Sequence, residues 1–110
     1  MQYSINSSGN ELLSVSLSGE IDHHSAVDIR RGIDTEIERF KPHRLVLDFG
    51  AVSFMDSSGI GLVMGRYRLM EPYGGIIEII NVPPSLKRVM QIAGLYKLAE
   101  INEGGIVNAK

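Results

Sequence analysis

Segments with an apolar residue every three to four positions alternate along this chain with apolar runs too short to be helices, and that alternation confines it to an α/β fold. Ala26, Ile29, Ile33, Ile37 and Phe40 keep the spacing of a helix that buries one face, leaving Asp28, Arg30, Glu36 and Glu38 for water. Asp22 or Ser25 is placed to cap that helix, and Pro42 stops it. Residues 44–49 (RLVLDF) are short and apolar at their centre, as a buried central strand is. A second helix is expected from Ser57 or Ser58, with Ile60, Val63, Met64 and Tyr67 turned inward. It should end near Arg66 and Arg68, ahead of Pro72, where cations meet the negative end of the helix dipole.

Residues 76–80 form another buried strand. Pro83-Pro84-Ser85 then opens a third helix, with Leu86, Val89, Met90 and Ala93 inward and Gly94 as its C-terminal cap. Residues 98–101 suit a last short strand. At the start, Leu12, Leu13, Val15 and Leu17 lie between turn residues at Ser8-Gly9-Asn10 and Gly19 and read as a strand, with residues 3–6 as its hairpin partner. Gly104-Gly105 disfavour a helix in the tail, whose state stays open. The order is β-β-α-β-α-β-α-β, an α/β domain over 1–110 with one mixed sheet and helices packed against it.

With 110 residues, 44% of them apolar, there is material for one core. A formal charge of -2 and scattered basic pairs give no means of capturing nucleic acid. The absence of cysteine excludes disulfides, thiolate zinc sites and cysteine nucleophiles. Residues 1–10 lack the pattern of a secretory signal, and no apolar run nears the roughly 20 residues of a membrane span, so a cytoplasmic protein is expected.

The stretch with chemical content runs from Val52 to Gly61, where Asp56, Ser57, Ser58 and Gly59 interrupt an otherwise apolar region. One of Asp56, Ser57 or Ser58 suffices to cap the second helix. The run as a whole also sets two hydroxyls and little bulk on a surface turn, which is what a kinase substrate needs. A phosphate there would sit near the positive end of the helix dipole, so modification would leave the helix intact and act at an interface. Met55 is expected to be exposed beside Asp56 and to serve as a contact.

Other chemistries fit less well. A hydrolase could use Ser57 or Ser58 with His23 or His24 as base and Asp22 or Asp56 as orienter, but no Gly-x-Ser-x-Gly elbow is present. Asp22, His23, His24 and His43 could be imagined around a metal, yet adjacent histidines entering a helix point about 100° apart, so no metal site is expected and one histidine should face solvent. Without a Gly-x-x-x-x-Gly-Lys-Ser/Thr loop, nucleotide binding near the turn would be incidental. Gly61 and Gly65, four apart, are read as a close approach of helix to strand.

The motifs Gly19-Glu20-Ile21-Asp22-His23-His24-Ser25-Ala26, Ser53-Phe54-Met55-Asp56-Ser57-Ser58-Gly59-Ile60-Gly61 and Gly65-Arg66-Tyr67 resemble the sporulation branch of the anti-sigma factor antagonists, a family of STAS domains. The likeness spans nearly the whole chain, including Lys87-Arg88 and Gly94-Leu95. It implies a partner switch and no catalytic activity. The unmodified protein would bind an anti-sigma factor that is also a serine kinase, freeing the sporulation sigma factor. The kinase would then phosphorylate Ser57 with ATP, ending the complex, and a PP2C-type phosphatase would reverse the change. The ATP belongs to the kinase, so the domain needs no cofactor of its own. The resemblance places the partner surface at Asp22, His23, Met55, Asp56, Ser57, Ser58 and Gly59. A phosphoserine carries about -1.5 to -2 charges. Facing one partner carboxylate at about 5 Å and an effective dielectric near 20, each unit would cost on the order of 3 kcal/mol, roughly two decades of affinity. The protein is expected to be a monomer, with a swapped dimer through its N-terminal strands as the alternative.

Overall fold

A computed structural model describes residues 2–102, and the open question at Gly104-Gly105 lies outside them. Strand β1 (Tyr3–Ser7) pairs antiparallel with β2 (Leu12–Ile21), and the chain then runs through α1 (His23–Phe40), β3 (Arg44–Met55), α2 (Ser57–Met70), β4 (Ile76–Ile80), α3 (Pro84–Ile92) and β5 (Glu100–Ile101). Single 3-10 turns occupy Glu71–Tyr73 and Leu95–Lys97. Strand order follows chain order, with β2 to β5 parallel. Each crossover advances one strand in the same direction, so right-handed connections bring α1, α2 and α3 to the same face of the sheet.

Burial agrees with that placement. The register rows Leu13-Leu45-Ile77 and Val15-Leu47-Ile79 are wholly buried. On the opposite face, Ser14-Val46-Glu78 and Ser16-Asp48-Ile80 remain partly open among the described residues. The strands at 44–49 and 76–80, expected to be buried, are thus buried on one face. Arg44 lies on the open face, 2.9 Å from Glu78 and 3.2 Å from Glu100.

Both candidate caps of α1 are used together. Asp22 Oδ1 accepts from the His24 and Ser25 N–H groups at 3.0 and 2.9 Å, while Ser25 Oγ accepts from the Asp22 N–H at 2.9 Å. The helix ends on Lys41 at φ +46°, just before Pro42. Helix α3 begins at Pro84, and Gly94, at φ +77°, donates its N–H to Gln91 O as the cap expected of it.

Three elements outrun their sequence signals. Strand β2 passes Gly19 to reach Ile21, and β3 runs six residues beyond Phe49, each supporting the other in register. Helix α2 likewise passes Arg66 and Arg68 to end at Met70. Arg66 is therefore no helix-end cation: it is 5% exposed and faces Asp34 of α1.

Candidate partner-binding site

The end of β3 is shaped by two bulges. Between Ser16 and Ser18 of β2 the partner strand advances from Asp48 to Ala51, and between Gly19 and Glu20 it advances from Val52 to Phe54. Each adds one residue to β3, so its inward side chains fall three apart, at Phe49, Val52 and Met55, where regular pleating would space them by two. The second bulge exchanges the orientations of the last two strand residues. Met55 is 6% exposed and packs under α2, which corrects its expected exposure, and Phe54 stands 50% exposed in its place.

Asp56 leaves the strand with its N–H donated to Ile21 O at 3.2 Å and caps α2 by accepting the Ser58 N–H at 2.8 Å. Ile21 and Met55 are partners in register, so the Asp22 and Asp56 caps stand side by side at one end of the sheet. Ser57 is the first residue of α2 and is exposed, whereas Ser58 is half-buried. Gly59 is buried, and a β-carbon there would collide with the Met55 side chain. Internal packing thus requires this glycine, and the Met55 side chain is turned inward beneath it.

Beside the turn, His23, Ala26, Val27 and Arg30 of α1 face Ser58, Gly61 and Leu62 of α2 across a groove of about 250 Å³. His23 and His24 are both exposed, where one was expected, with ring centroids 5.8 Å apart in an edge-to-face arrangement. Further along, Arg66 Nε lies 2.7 Å from Asp34 Oδ1, Arg66 Nη2 donates to Asp34 Oδ2 at 3.3 Å, and Nη1 donates to Leu62 O at 3.2 Å. Burial pushes the Asp34 carboxyl above the ordinary range, against the pull of Arg66, and pushes the Arg66 guanidinium down. At the helix entry the Ser25 N–H, above all, holds the Asp22 carboxyl below its usual value.

Residues 5–103 match the family model of the STAS domain. The chain belongs to the STAS domain family. It is 37% identical to the anti-sigma F factor antagonist of Paenibacillus polymyxa over 95 residues, which cover 86% of this chain and 81% of that protein. To the anti-sigma-B factor antagonist of Bacillus subtilis (strain 168) it is 32% identical over 97 residues, covering 86% and 87%. It superposes on the Bacillus cell fate determinant SpoIIAA in the phosphorylated form with a TM-score of 0.72 at 34% identity, covering 90% of this chain and 89% of that one.

The STAS fold brings Asp22, His23, Asp56, Ser57 and Ser58 to one end of the sheet, with Met55 and Gly59 beneath them. The aspartates of the imagined hydrolase are otherwise engaged, since both accept helical N–H groups. No helix among the described residues is long and apolar enough to cross a membrane. The close approach expected at Gly61 and Gly65 is not found: a β-carbon at either would meet nothing within 4 Å. Two features escaped the sequence reading. Phe54 was hidden by the bulge. The Asp34–Arg66 pair had only a weak signal, an arginine four residues after Leu62 on the helix's inward side.

Proposed function

We propose that this STAS domain is an anti-sigma factor antagonist, regulatory and without catalytic activity, whose unmodified form binds an anti-sigma factor that is also a serine kinase and thereby releases the sporulation sigma factor. Ser57 is the switch. Phosphorylation by that kinase ends the complex, and a PP2C-type phosphatase restores it. The observation that carries this reading is the placement of Ser57: exposed, at the first position of a helix already capped by Asp56, in a chain similar to a protein solved in a phosphorylated form.

The local chemistry favours a switch that leaves the fold alone. A phosphate on the first turn lies near the positive end of the α2 dipole, so the helix survives modification. The cap persists as well, because the Asp56 carboxylate is held by the Ser58 N–H and does not depend on the Ser57 hydroxyl. What changes is the surface, where about -1.5 to -2 charges and three acceptor oxygens arrive beside Asp56. A partner fitted closely over the bare hydroxyl must then bury an uncompensated dianion or withdraw.

Intact-mass and phosphopeptide analysis after incubation with the anti-sigma factor kinase and ATP tests the assignment. Wild type and Ser58→Ala are expected to gain one phosphate at Ser57, and Ser57→Ala none. Label at another residue, or none in wild type, would refute the switch while leaving the fold intact.

A further inference from the structure

The second bulge of β3 sends Met55 into the core and, in doing so, turns Phe54 out of it. Val52 is buried, so uninterrupted pleating would turn residue 54 inward and residue 55 out. The extra residue reverses this and holds a phenylalanine half in water. Bulges that re-aim a side chain gather beside functional sites. Phe54 is three residues from Ser57, at most about 10 Å along an extended chain. A standard interface covers about 800 Å² on each partner, a patch roughly 30 Å across, so a partner seated on the Ser57 turn readily reaches the ring.

The surroundings define the chemistry of that partner. Phe54 pairs in register with Glu20, whose side chain is also exposed. Across residues 18–25 and 51–58 the charged side chains are Glu20, Asp22 and Asp56, with no lysine or arginine. Asp22 and Asp56 are committed to capping their helices. Glu20 makes the sheet side of the ring acidic.

We propose that Phe54 is the aromatic anchor by which the anti-sigma factor holds this domain, inserted into an apolar pocket whose rim carries a lysine or arginine facing Glu20. This rests on the partner-switching reading and adds the division of labour within it. Affinity is concentrated at Phe54, on the sheet side of the turn, and control is placed at Ser57, on the helix side. The anchor is present in both phosphorylation states, so the phosphate acts beside it by preventing close approach.

Binding of the same bacterium's anti-sigma factor kinase, measured by calorimetry and stopped-flow, tests the proposal with wild type, Phe54→Ala, Phe54→Leu, Glu20→Lys and the control Glu11→Lys. Glu11 precedes the other end of β2, roughly 30 Å from Glu20 at about 3.3 Å per residue. Phe54→Ala is expected to weaken binding about tenfold or more, mainly through faster dissociation, and Phe54→Leu to recover part of the loss. Glu20→Lys should slow association and reduce its sensitivity to salt, whereas Glu11→Lys should do neither. Unfolding midpoints should match wild type for the Phe54 variants, since the ring is no part of the core. Binding of Phe54→Ala within about twofold of wild type, or a Glu20→Lys association rate equal to that of Glu11→Lys, would overturn the anchor alone. Failure of wild type itself to bind would overturn the functional reading and the anchor with it.

Discussion

Met55 and Gly59 constrain each other: the thioether turns under α2 only because residue 59 has no side chain to meet it. Gly59→Ala is expected to cost about 1–3 kcal/mol in denaturant unfolding, as overpacking does, and Met55→Ala in the same chain should relieve part of that loss. Gly61 gives the opposite sign. It is exposed in the body of α2 with open space around it, so Gly61→Ala should stabilise by up to about 1 kcal/mol, read from the same unfolding curves. An unchanged or lowered midpoint for Gly61→Ala would mean that α2 is not regular there. These two glycines look alike in the sequence because residue type carries no record of which side of a helix meets a neighbour. The helix starts were legible for the converse reason, as a cap by Asp22 or Ser25 and by one of Asp56, Ser57 and Ser58, since capping is local chemistry settled within three or four residues.

At the scale of elements, the helices were read through their periodicity, and their errors lie at the ends. Helix α2 could not be followed past Arg66 because a charge on the inward side looks like a terminus until its partner, Asp34, is known to lie on α1. Strand β3 was cut short at Phe49 because bulges replace the spacing of two with a spacing of three, and a bulge has no signature apart from the strand it pairs with. The α1 entry makes a pH prediction. The Asp22 carboxyl is held below its ordinary value of 3.8, chiefly by the Ser25 N–H, so the folded state binds fewer protons there than the unfolded one. Its stabilising contribution is present above that value and is lost as pH falls through the lower, folded one. Asp22→Asn should keep the cap at neutral pH and show a flatter decline in unfolding midpoint below pH 3.8 than wild type. Parallel declines would remove Asp22 from the acid response.

For the molecule as a whole, sequential parallel crossovers gather three helices on one face and hold the two Asp-capped helix starts together at one end of the sheet. The Asp34–Arg66 pair ties α1 to α2 behind that end. Removing one partner of a largely buried pair leaves the other charge uncompensated, so Arg66→Ala should cost about 2–4 kcal/mol of stability. Arg66→Lys should recover only part of it, since a lysine cannot reach Asp34 and Leu62 O with one rigid fork. The class of fold and a serine at the start of α2 were visible in the sequence; the sidedness of the sheet, and with it the acidic, aromatic flank at Glu20 and Phe54, required the register. The central claim is that the state of Ser57 decides whether the partner stays bound. Its most direct test is the affinity of the anti-sigma factor for the unmodified domain and for the same domain phosphorylated at Ser57, measured by calorimetry at one ionic strength. A loss of about a hundredfold on phosphorylation, with the circular dichroism spectrum unchanged, is the expected result; equal affinities for the two forms would contradict the account.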